Sequence, residues 1–94
     1  MARVELSPVA RDALARLIDA YHLPADTERQ VRARLEPLQR FPEMGTPLFG
    51  SWEGFRFISG PWPWMLLLYM WSEEDDLVMV VTIRDARSSV SPLH

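Results

Sequence analysis

Arginine is the residue type through which this chain could do chemistry. All ten basic residues are Arg, and the 94 residues include no Lys and no Cys. That removes the lysine ammonium as a base or Schiff-base former, the thiolate nucleophile, the disulfide and the Cys-based metal site. It leaves guanidinium forks, which grip phosphate or carboxylate through paired hydrogen bonds. Residues 49–94 hold three of them, Arg56, Arg84 and Arg87, among six acids. Arg56 lies in the middle of one strand pattern, Arg84 at the end of another and Arg87 just beyond it. Brought together, the three would clamp a phosphate and stabilise a pentavalent transition state. Kept apart, Arg56 would pair with a carboxylate such as Glu53 or Asp85, and Arg84 would rest its stem on apolar surface with its head in water.

A proton acceptor to accompany them is not evident. His22 falls at the tip of a helical hairpin, far in sequence from Arg56, and His94 is terminal. Glu53 or Asp85 would act as a base near neutral pH only with a raised pKa. The SEEDD run, Ser72 to Asp76, has carboxylates without metal-ligand spacing and reads as a solvated hairpin tip. Arg32, Glu36 and Arg40 stand at i,i+4 spacing, the pattern of surface ion pairs. No cofactor and no metal site are expected.

The elements that must position these side chains follow from periodicity and punctuation. Val4 and Leu6 alternate with Arg3 and Glu5, predicting a short strand. Ser7-Pro8 then caps a helix over about Pro8 to Ala20, with Val9, Ala13, Leu14, Leu17 and Ile18 on its apolar stripe. Pro24 breaks it, and Asp26 or Thr27 starts a second helix carrying Val31, Leu35 and Leu38, which Pro37 kinks or ends at Glu36. Thr46 to Gly50 reads as a Pro/Gly loop. Three strands are then predicted: Trp52 to Ser59, about Trp62 to Trp71, and Leu77 to Arg84. Pro63 cannot donate to a ladder and belongs at a strand's start or on an unpaired side. The fold class is α+β, in the order β-α-α-β-β-β, with an N-terminal strand and helical hairpin packed on a mainly antiparallel four-stranded sheet. Gly45 to Trp71 holds all four Trp and eight of the ten aromatic residues, so most of the core is expected there.

Composition bounds the rest. The length fits one domain, 1–94, burying roughly 60–65% of its unfolded surface, with about 86–94 as a C-terminal tail. A net charge of −3 excludes a domain-wide basic footprint for nucleic acid. Residues 1–48 balance seven Arg against seven acids, so the sheet half is the acidic half. The N-terminus lacks a signal-peptide apolar region, and the one apolar run, Trp62 to Trp71, is ten residues long and contains a Pro. A membrane helix needs about 20 residues. A cytoplasmic protein with no membrane partner is the expectation.

Three segments in order resemble the RelE/ParE superfamily, toxins of bacterial type II toxin–antitoxin modules. VELSPVARDALARL resembles the family's first strand, Ser/Ala-Pro junction and first helix. RLEPLQRFPEMGTPLFGSWEGFRFI is similar to its second helix, Pro/Gly exit and second strand with a strand arginine. MLLLYMW, a polar loop and LVMVVTIRDARSS resemble its last two strands and distal arginine, carrying the resemblance from about Val4 to Ser89. The resemblance implies a small toxin neutralised by an antitoxin that wraps its surface. Some members cleave mRNA in the ribosomal A site, using basic residues on the sheet to hold the phosphate; others poison DNA gyrase. On the first reading Arg56, Arg84 and Arg87 would be catalytic and the ribosome with its mRNA the partner. The alternatives are a gyrase inhibitor without catalytic activity and an inert antitoxin-binding member, as a homodimer or toxin–antitoxin hetero-oligomer. Two departures weigh against the first reading. Pro63 stands where many members carry a basic residue, and no clear counterpart of the C-terminal Tyr or His of several RNA-cleaving members follows Arg87.

Overall fold

The structure is a computed structural model that describes residues 1–87. The strand β1 (Arg3–Leu6) leads into α1 (Pro8–Tyr21), α2 (Thr27–Leu35) and a 3₁₀ turn at Glu36–Gln39. Then come β2 (Thr46–Pro47), a second 3₁₀ turn at Gly50–Trp52, β3 (Arg56–Ser59), β4 (Met65–Ser72) and β5 (Leu77–Asp85). The strands form one sheet in the order β1-β5-β4-β3-β2, with β1 parallel to β5 and every other pair antiparallel.

The signals at the two ends of α1 are realised as chemistry, whereas Asp26, at the start of α2, makes no capping side-chain bond. The Ser7 hydroxyl accepts from the Ala10 N–H at 3.0 Å and donates to the Val81 carbonyl at 2.9 Å, so one side chain caps α1 and ties it to the sheet. The other end of α1 is capped by His22 in the left-handed conformation, φ 51°, its N–H bonded to the Ile18 carbonyl. This histidine is a helix stop. Pro37 stops α2, which ends at Leu35, and sits at the start of the 3₁₀ turn just after Glu36, where a missing N–H costs nothing.

Two predicted elements change. Thr46–Pro47, read as loop, forms a fifth strand at the sheet edge opposite Arg56 and Phe57. Proline is compatible with an edge because its absent N–H would have faced solvent. The strand expected from Trp52 starts only at Arg56, because Gly54, at φ 94°, turns the chain after the 3₁₀ turn. Pro63 falls in the turn before β4 and breaks no ladder.

The core is less aromatic than expected. On the helix side, Leu6, Ala10, Leu14, Val31, Leu35 and Leu38 meet Met65, Leu67, Tyr69, Val78, Val80 and Ile83. On the other side a smaller cluster of Leu48, Leu66 and Leu68 is partly covered by Trp52, Phe55 and Phe57. Tyr69 is the one aromatic among the fully buried side chains, and all four Trp are only half-buried around the margins. A slab of branched aliphatics between sheet and helices fills its space closely; indoles are too large for it and roof its edges.

Candidate functional site

Cross-strand partners share a face of the sheet, so register fixes where each arginine projects. Arg56 is opposite Tyr69, whose ring lies in the helix-side core. Arg84 is opposite Leu66, which belongs to the cluster on the other face. Arg56 and Arg84 therefore leave the sheet on opposite sides, and their partners on β4 stand three residues, about 10 Å, apart. Arg87 lies beyond β5, on the helix side against α1. The fold keeps Arg56 away from the other two, while Arg84 and Arg87 both line the groove between α1 and the end of β5.

Each has its own local occupation. Arg56 Nη1 donates to the backbone carbonyls of Glu43 at 3.0 Å and Gly45 at 2.9 Å. Carbonyls rather than the carboxylates of Glu53 or Asp85 are its partners, and it holds the turn before β2. The guanidinium of Arg84 lies 5.7 Å from the centre of the Trp52 ring, and its Nε is buried with no hydrogen-bond partner among the described residues.

Arg87 is the most constrained. Its Nε and Nη2 donate to the two oxygens of Asp85, each at 3.0 Å, and its backbone N–H donates to Asp85 Oδ1 at 2.9 Å. Tyr21 Oη donates to Asp85 Oδ2 at 2.7 Å. The Arg87 cation also lies 4.6 Å from the centre of the Trp64 ring and 5.4 Å from that of Tyr21, and these two rings meet edge to face. The sequence marked Arg87 and Asp85 but not Tyr21 or Trp64, because only the tertiary return of α1 along β5 makes them neighbours. Its one signal was a tyrosine at a helix end, a ring whose hydroxyl seeks a partner when packed.

The clasp decides the acid–base question for Asp85. Hydrogen bonds from Arg87, then from Tyr21, outweigh the desolvation of burial and hold its carboxyl well below the usual carboxylate range. A base working near neutral pH needs the opposite shift. The same hydrogen bond raises the Tyr21 hydroxyl. Because the folded pKa is depressed, the contribution of Asp85 to stability is complete above its ordinary value of 3.8 and is lost as pH falls through the folded value. Asp85→Asn is expected to flatten the acid side of the melting curve. Thermal melts from about pH 7 to pH 2 should show the wild type losing more than the variant below about pH 4; equal losses would mean the clasp carries no linkage.

A groove of about 890 Å³ runs between α1 and the end of β5, with Val9, Ala13 and Leu17 along one wall and Thr82 to Asp85 along the other. No group of three or more metal-ligating side chains occurs among the described residues. No helix among them is long and apolar enough to cross a membrane.

This architecture has known relatives. A chain of the RelBE2 toxin–antitoxin complex of Mycobacterium tuberculosis is 24% identical, with a TM-score of 0.62 over 89% of this chain and 96% of that one. The chromosomal ParDE toxin–antitoxin system of P. aeruginosa gives a TM-score of 0.70 at 14% identity, covering 93% and 98% of the two chains. A metal-bound toxin from Helicobacter pylori gives 0.71 at 18% identity, covering 97% and 100%. No curated protein sequence matches the chain. At these identities the structures establish the fold, and the sequence itself establishes the family. Residues 4–90 match the ParE toxin of the type II toxin–antitoxin system, parDE, and the chain belongs to that family within the RelE/ParE superfamily.

Proposed function

We propose that this toxin arrests growth by binding a protein target, of which DNA gyrase is the leading candidate, and not by cutting RNA. The observation that carries this reading is the dispersal of the guanidiniums. Arg56 and Arg84 project from opposite faces, and Arg87 is neutralised by Asp85. A phosphoryl-transfer site needs its cations converging within hydrogen-bond reach of one phosphate, with a base beside them. Membership of the ParE family supports the same reading. A cognate antitoxin is the natural second partner, since similar folds occur in the RelBE2 toxin–antitoxin complex and the ParDE system.

RelE-like, ribosome-dependent cleavage through Arg56, Arg84 and Arg87 is the second reading. What favours it is Arg84, whose guanidinium lies over the Trp52 ring and whose Nε has no partner among the described residues, on the sheet face away from the helices. The two separate in one strain. On induction, the first predicts arrested supercoiling by purified gyrase, an SOS response and intact reporter transcripts. Codon-linked cuts in primer extension, with unaltered supercoiling, would overturn it.

A further inference from the structure

The turn from Phe41 to Gly45 presents apolar side chains outward and is held rigid from behind. Phe41 is 63% exposed and Met44 53%, and with Pro42 and the indole of Trp71 they line a groove of about 540 Å³. Two side chains pin this turn with four hydrogen bonds. Tyr69 Oη donates to the Pro42 carbonyl and accepts from the Gly45 N–H, while Arg56 donates to the carbonyls of Glu43 and Gly45. An exposed apolar surface fixed in this way has already met much of the ordering cost of association.

Its rim is acidic. Glu43 and Glu73 complete the lining, and Glu74, Asp75 and Asp76 follow at the hairpin tip. Neither Glu43 nor Glu73 forms an ion pair among the described residues. A second copy of this chain would bring like charge against like, which opposes self-association through this face.

We infer that the Phe41–Met44–Trp71 groove docks a segment of the toxin's protein target that carries an apolar anchor flanked by Arg or Lys. The inference rests on the protein-target reading above. It gives Arg56 a role as a positioning residue, which holds the turn that carries the docking surface.

The test uses two surface variants of the full chain, Phe41→Ser with Met44→Ser, and Glu43→Lys with Glu73→Lys. Inducer titrations of growth arrest are read beside thermal melts and, for cells co-expressing the antitoxin, beside rescue of growth. Both pairs should melt like the wild type and be rescued like it, while the inducer dose for half-arrest rises roughly tenfold or more, the size of one hot spot. The charge-reversed pair keeps the apolar floor, so it remains informative if the serine pair folds poorly. Folded variants that arrest growth at the wild-type dose would overturn the inference. Full arrest with lost rescue would also overturn it, by assigning the groove to the antitoxin. Transcript cutting by the wild type removes the protein-target reading by itself, and that result is scored without either variant.

Discussion

Gly45→Ala is expected to destabilise the fold by about 2–3 kcal/mol, although it adds a single methyl group. A Cβ at Gly45 would stand 2.5 Å from Tyr69 Oη, 2.7 Å from the Tyr69 ring and 2.9 Å from the Phe57 carbonyl. None of these can move cheaply. The Tyr69 ring is fully buried in the helix-side core, and the Phe57 carbonyl belongs to the backbone of β3. The requirement for glycine is therefore one of space. Gly60 is the internal control: there the added atom would meet Met65 Sδ at 2.8 Å and Cγ at 3.1 Å, and this side chain, though buried, is unbranched and can change rotamer where a tyrosine ring and a strand carbonyl cannot. Gly60→Ala should cost about 1 kcal/mol. Urea unfolding of the two variants checks the contrast, and equal losses would show that the Tyr69–Gly45 contact relaxes freely.

The same region shows how far the sequence could be read. Helix ends, the succession of elements along the chain and the break at Pro37 were legible because they depend on neighbours in the chain. What the sequence left open was the side of the sheet on which each arginine projects. Strict alternation along β5 puts Val78, Val80, Thr82 and Arg84 on one face. The structure has a register irregularity between Leu68 and Tyr69, with Val81 as the extra residue, and the parity inverts there. Ile83 consequently joins Leu67 in the helix-side core, and Arg84 turns to the face of Leu66. A run of β-branched residues, Val80 to Ile83, suits either face and gives no warning of a bulge. That single extra residue separates Arg84 from Arg56. The role of Arg56 was hidden for a related reason: its partners are backbone carbonyls of a turn 11–13 residues earlier, which no side-chain pattern marks.

Tyr69→Phe should cost about 2 kcal/mol while leaving the packing of the core intact, because it removes only the hydroxyl. That oxygen donates to the Pro42 carbonyl at 2.7 Å and accepts from the Gly45 N–H at 2.9 Å. Gly45 is buried, so its orphaned N–H gains no water in exchange, whereas the half-buried Pro42 can be partly solvated. Burial raises the Tyr69 hydroxyl above its ordinary value of 10.0, which keeps it a donor across the physiological range. The sign of the linkage follows: this stabilisation is complete below about pH 10 and is lost as pH rises through the folded value. The phenylalanine variant should be less stable at neutral pH and less sensitive to alkali. Arg56→Ala loosens the same turn from the other side, so the two losses should not add. Urea titrations of both single variants and the double variant, with amide exchange at Gly45, decide the point. Additive losses would mean that the two pins act independently, and a Gly45 amide as protected in Tyr69→Phe as in the wild type would mean that the turn stands without the tyrosine hydroxyl. A cooperative loss would make the buried tyrosine and the strand arginine one device, whose product is the exposed surface from Phe41 to Met44.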